Sequence, residues 1–344
     1  VEISVACIRV ISVPNKNTLK MKRITLLLSL LITLLFTAKA EQKYDFVVAQ
    51  DGSGNFTKVQ DAIDAAKAFP DKPITIFIKN GTYKEKVKVA DCNNHLSLIG
   101  ESADKTVITY DDHFDKIKRG RNSTFYTYTL MVEADDFHAE NLTVENASGP
   151  VGQAVALHVE GDRCVFRNCR IQGNQDTLYA AGQYSRQYYA DCYIEGTTDF
   201  IFGAATALFD RCTLCNKSDS YVTAASTTQG KPFGFVFRNC KIIAKEGVKK
   251  ACLGRPWRDY AKVVYIHCGL GAHIAPAGWV NWDKTNRDKT AYFAEFESKG
   301  PGANATQRLP WTHQLSKKEA SKYTMENILA PILPIEPKVG EWTK

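Results

Sequence analysis

The chain has no Pro/Gly/Ser-rich linker and no long block of like charge, so nothing within its 344 residues marks a domain boundary. A Gly-x-Ser-x-Gly elbow is missing too; Gly52-Ser53-Gly54 is too short to be one, which disfavours a conventional serine esterase. Cys212-x-x-Cys215 lacks a second pair at metal-binding spacing, so no metal is expected. The apolar run from Ile24 to Phe36 is short for a membrane span. It lies between Lys22-Arg23 and the small-x-small Ala38-Lys39-Ala40, the layout of a secretory signal peptide over residues 21–40. An uncleaved anchor is the alternative. Residues 1–20 read as a non-native upstream extension, and 41–344 as the mature domain.

Excess positive charge is largely absent once that leader is set aside. Residues 1–40 hold six Lys/Arg and one Asp/Glu, leaving 38 basic against 36 acidic residues and a net charge of +2 in place of +7. Such a domain has no electrostatic footprint for nucleic acid or an anionic membrane, and a monomer is expected. Nine cysteines remain, an odd number that cannot pair completely within one chain.

The cysteines do show a repeat. FHAENLTVEN (137–146), CVFRNCRIQG (164–173), YYADCYIEG (188–196), LFDRCTLCN (208–216), FVFRNCKII (235–243) and VVYIHCGLG (263–271) share one pattern. Alternating apolar residues lead to a position usually polar, then to Leu142, Cys169, Cys192, Cys212, Cys240 or Cys268, spaced by 20 to 28 residues. Strand-like alternation with turns at that period predicts an all-β solenoid, a single-domain parallel β-helix with the cysteines in one buried column. An open end of such a stack exposes core, so caps are expected. TKVQDAIDAAKAF (57–69) predicts a helical lid with Val59, Ala62, Ile63, Ala66 and Phe69 on one face. Ser316 and Glu319 predict a capping box near the other end, and the tail after Ala330 a surface path.

Asp199 stands in GTTDFIFG (196–203), against Phe200, Ile201 and Phe202. Its plainer reading is a structural turn residue. However, it lies seven residues after Cys192, as Asp176 in GNQDTLYA lies seven after Cys169. Stacked coils bring two such backbones to about 4.8 Å. Two carboxylates that close cannot both ionise readily, so one serves as nucleophile or base while the other holds a proton. Phe200 and Phe202 are expected to limit water there. Gln175, and Gln153 through a longer loop, offer amide donors for an oxyanion; Arg255 offers a bidentate grip and Trp257 a sugar-stacking face.

Together GTYKE (81–85), QAVAL (153–157), QDTLY (175–179), DFIFG (199–203) and LGRPW (253–257) resemble, in content and order, the pectin methylesterase (pectinesterase) family over roughly residues 44–330. The resemblance implies a right-handed parallel β-helix that hydrolyses the methyl esters of homogalacturonan, with no metal or organic cofactor. It implies Asp199 as nucleophile, Asp176 as general acid/base, Gln153 and Gln175 as the oxyanion hole, and Arg255 holding the nucleophile. Trp257, Tyr179 and Phe202 would contact the polysaccharide. His158 departs from the Arg that plant members usually carry after QAVAL. The short leader and the lack of a long pro-region lean towards a bacterial enzyme, secreted or periplasmic. A retaining glycosidase also uses a close carboxylate pair, and pectate lyases share the architecture. Paired amides and an arginine suit an acyl oxyanion better than either, and a purely polysaccharide-binding β-helix has no use for them.

Overall fold

The computed structural model describes residues 44–344; the expected leader and upstream extension lie outside the described residues. Every strand pair is parallel, and the strands form three sheets of eleven, seven and eight members. One coil contributes one strand to each: Cys164–Arg167 to the eleven-stranded sheet, Arg170–Gln172 to the eight-stranded one, and Leu178–Ala180 to the seven-stranded one. The chain thus winds as the expected right-handed parallel β-helix.

Register places the cysteines as the repeat predicts. Thr143, Arg170, Tyr193, Thr213, Lys241 and Gly269 are successive partners, so the residues before them, Leu142 and the five cysteines, form one column. All six are buried, and the thiols are free. Each coil's thiol donates to a carbonyl of the coil before, as from Cys192 to Phe166 at 3.4 Å and from Cys212 to Tyr189 at 3.3 Å. The usually polar residue ahead of each has a conformational cause. Asn141, Asn168, Asp191, Arg211, Asn239 and His267 are all left-handed, with φ between +46° and +57°. One such residue turns the chain from the eleven-stranded to the eight-stranded sheet, and the short polar side chains of Asn and Asp tolerate that region best. Beside this column, rings of Phe166, Tyr189, Phe209, Phe237 and Tyr265 stack at centroid separations of 5.0, 4.7, 4.6 and 4.4 Å.

A helix at Val59–Asp64 covers the first coils, burying Val59, Ala62, Ile63 and the following Ala66. Phe69 departs from the expectation: it is 70% exposed, with φ +48°. Pro70 follows it, and a residue before proline avoids the helical region, so the apolar periodicity outlasts the helix. Glu85 of the GTYKE stretch accepts from the helix's Val59 and Gln60 N–H groups at 2.9 and 3.0 Å. At the other end the Ser316–Glu319 capping box is present. The tail runs over the surface with Leu333 and Ile335 exposed, yet it is anchored. Buried Arg186 binds Asp162, Glu336 at 2.6 Å and the Ala330 carbonyl at 3.0 Å. The last turn, Val339–Trp342, returns to an apolar cluster with Val165, Tyr188 and Leu208 on the outer face of the eleven-stranded sheet.

Candidate active site

Leu178 pairs with Ile201 and Tyr179 with Phe202, which puts Asp176 and Asp199 at one position of adjacent coils. Both are left-handed, with φ +63° and +51°, where the chain turns into the seven-stranded sheet. Backbone bonds hold them there: the Asp176 N–H donates to Thr198 O at 3.0 Å and the Asp199 N–H to Tyr221 O at 2.8 Å. Gly196 is needed for this turn, since a Cβ would lie 2.2 Å from Phe200 Cβ and 2.5 Å from Asn174 O. Non-glycine residues in this region carry backbone strain, which tends to collect at functional sites.

Asp199 receives a two-pronged grip, with Arg255 Nε donating at 3.0 Å and a terminal nitrogen at 2.6 Å. Arg255 comes from the strand Cys252–Pro256, two coils further on. The register between Phe202 and Arg255 is filled by Ala224, whose small side chain leaves the guanidinium room to reach back. That guanidinium also lies over the rings of Tyr221 and Trp282, at 4.2 and 4.0 Å. Flat, weakly hydrated guanidinium tolerates such packing where an ammonium would not.

The carboxylates are 9% and 5% exposed for Asp176 and Asp199. Burial pushes the Asp176 carboxyl well up, and the neighbouring Asp199 charge adds to this. Burial also raises Asp199, but the Arg255 hydrogen bonds and charge oppose it. Of the two, Asp176 is therefore the group that holds a proton more tightly, and Asp199 the one on which a negative charge is better supported.

Gln153 and Gln175 form a parallel bridge between successive coils, so the longer loop does align them. Their side-chain amides make no hydrogen bond within the described residues and remain open to a ligand oxygen. Both line a cavity of about 340 Å³ together with Asp176, Asp199, Arg255, Phe202 and Trp257. Phe202 meets Trp257 edge-on at 5.7 Å.

The aromatics divide between the cavity face and the core. Tyr179, half-buried one coil back, stacks on Phe202 at 4.5 Å and tilts against Phe125 at 5.1 Å, in the same aromatic cluster as Trp257 and Trp282 beside the cavity. Phe200, expected to limit water near the carboxylates, instead packs in the main core beside Ile201, because the strand begins only at Ile201 and the left-handed turn at Asp199 sends both side chains inward. His158 is buried outside the cavity, against Tyr179 at 4.6 Å and with Nε2 2.9 Å from Glu160. Arg121, Thr124, Phe125, Ala224 and Trp282 line the cavity but were not apparent from motifs. Arg121, Thr124 and Phe125 belong to the long connection between strands Thr106–Tyr110 and Leu130–Val132. A connection of that length in a solenoid is itself a signal of function.

A family model described as Pectinesterase matches residues 45–331. Among curated proteins, the chain is 39% identical over 302 residues to a probable pectinesterase/pectinesterase inhibitor 23 of Arabidopsis thaliana, covering 83% of this chain and 52% of that protein. It is 38% identical over 292 residues to pectinesterase 31 of Arabidopsis thaliana, covering 83% and 92%. The chain thus spans about half the length of the first relative and most of the second. Both are plant proteins and lend no support to the expected bacterial source. A solved pectin methylesterase from carrot superposes with a TM-score of 0.79 at 31% identity, over 83% of this chain and 93% of that one. A pectin methylesterase solved in complex with a hexasaccharide superposes with a TM-score of 0.74 at 29% identity, over 86% and 99%.

Proposed function

The chain belongs to the pectinesterase family, and from that premise we propose that it hydrolyses the methyl esters of homogalacturonan to pectate and methanol. The observation that carries this reading is the asymmetric pair: Asp199 held by Arg255, next to Asp176 with its raised proton affinity. Asp199 attacks the ester carbonyl, and the N–H groups of Gln153 and Gln175 receive the developing oxyanion. On collapse the methoxyl group takes the proton of Asp176 and leaves as methanol, with an anhydride on Asp199. Asp176, now ionised, accepts a proton from the water that attacks this anhydride, which frees the galacturonate carboxylate and restores both groups. Trp257 and Phe202 offer apolar faces to the sugar rings, and Tyr179, stacked on Phe202 one coil back, extends that face. The hexasaccharide bound by a related structure supports an oligosaccharide occupant. The polymeric substrate fits an exported protein.

The test is purified residues 41–344 with highly methylated homogalacturonan and no added calcium, following methanol, chain length and unsaturated ends. Methanol with intact chains is the expected result, and Asp199→Asn should abolish it. Shortened chains without methanol would replace this reading with a glycosidase or lyase.

A further inference from the structure

The cavity holds one cation that the proposed chemistry does not use. Arg255 is spoken for by Asp199, whereas Arg121 lines the same cavity without a carboxylate partner among the described residues. Asp111 and Asp112, on the same connection, are engaged elsewhere. Asp111 binds Lys84 and Lys116 at 3.2 and 2.8 Å, and Asp112 binds Lys86 and Lys116 at 2.7 and 3.0 Å.

Its position is well fixed. Arg121 sits in the one-sided turn Gly120–Tyr126, where Ser123 Oγ accepts from the Arg119 N–H at 2.9 Å and donates to Gly120 O at 2.8 Å. Thr127 Oγ1 donates to Thr124 O at 2.7 Å and accepts from the Val155 N–H at 2.8 Å. Buried Asn146 ties the whole connection down, donating to the carbonyls of Asp112, Thr127 and Val155 at 2.8, 3.2 and 3.0 Å. Phe125, four residues on, rests against Tyr179. An exposed side chain thus projects from a pinned backbone at the wall of the reaction cavity.

The reacting methyl ester is neutral and offers a guanidinium hydrogen-bond acceptors but no opposite charge. A galacturonate unit that has already lost its methyl group carries a carboxylate, the partner that guanidinium binds best. We propose that Arg121 is a specificity-determining residue that recognises a free carboxylate on a unit next to the one being hydrolysed. This rests on the pectinesterase reading above. A substrate with a free carboxylate beside the reacting unit then binds better than a fully esterified one.

The test separates binding from turnover. Binding of a fully de-esterified and a fully methyl-esterified galacturonate hexamer is measured by calorimetry for the parent chain, Arg121→Gln and Arg121→Lys, with melting curves to verify folding. Methanol release from fully and half-esterified hexamers is followed in parallel. Arg121→Gln should weaken the de-esterified hexamer about three- to tenfold more than the esterified one, with the difference shrinking as salt is added. Arg121→Lys should fall between, since it keeps charge but not the fork. The half-esterified substrate should lose its advantage through KM. Equal weakening of both hexamers, or an equal fall in kcat on both substrates, would overturn the proposal. Differential binding without methanol release from the parent chain would instead overturn the hydrolase reading and leave carboxylate recognition standing.

Discussion

At the scale of single residues, the two aspartates differ in what their burial does to stability. Asp176 holds its proton more tightly in the folded chain than in an unfolded one, where its ordinary value is 3.8. Above that value, up to its raised folded one, the folded state binds more protons than the unfolded state, so stability falls as pH rises through the window. Asp176→Asn removes that cost, and asparagine tolerates the left-handed backbone. The variant should lose about 10²–10⁴-fold in turnover through loss of the general acid. It should nevertheless melt a few degrees above the parent at neutral pH, with the gain vanishing below about pH 3.8. Calorimetry across pH checks this. A variant that melts lower than the parent at neutral pH would show that Asp176 is a structural anchor.

At the scale of elements, short strands and one-residue corners decide where side chains go. The strand alternation and the cysteine column were legible because the register of a β-helix repeats with the coil. From that repeat alone came the coincidence of Asp176 with Asp199. The left-handed corners were visible only as a preference for polar residues, since φ is not written in composition. Tyr179 and Phe202 look equivalent in sequence, and their register is shared, but Tyr179 meets Phe125 where Phe202 meets Trp257. Phe125 and the connection around it cover the Tyr179 coil, and no local pattern announces so distant a contact. The Ala224 gap is a second such feature. Ala224→Leu keeps the strand and adds bulk where Arg255 passes, so kcat should fall at least about tenfold, through loss of the preorganised grip on Asp199. Unchanged kcat in a folded Ala224→Leu protein would show that Arg255 reaches Asp199 by another path.

At the scale of the whole molecule, the site and the tail occupy different faces. The cavity belongs to the seven-stranded side, whereas Val339–Trp342 closes an apolar cluster on the eleven-stranded sheet. Removing residues 331–344 should therefore cost stability of about 3 kcal/mol or more, from Val339 and Trp342 burial. It should also promote association through the uncovered Val165, Tyr188 and Leu208, with kcat per folded molecule preserved. Melting curves and light scattering test the first two points, and active-site titration the third. A matching loss of kcat would mean that the tail supports the cavity through the coils.

The carboxyl pair is a single position of the repeat used twice, with the same backbone conformation and the same address in two consecutive coils. Nothing intrinsic distinguishes the copies; Arg255 breaks their equivalence by arriving from the C-terminal side. Under the proposed chemistry, that makes the reaction polar along the solenoid. The ester must place its carbonyl carbon by Asp199 and its methoxyl group towards the N-terminal coils, by Asp176. The axis of the fold thus orients the ester bond that breaks, with its acyl side towards the C-terminal coils and its alkoxy side towards the N-terminal ones.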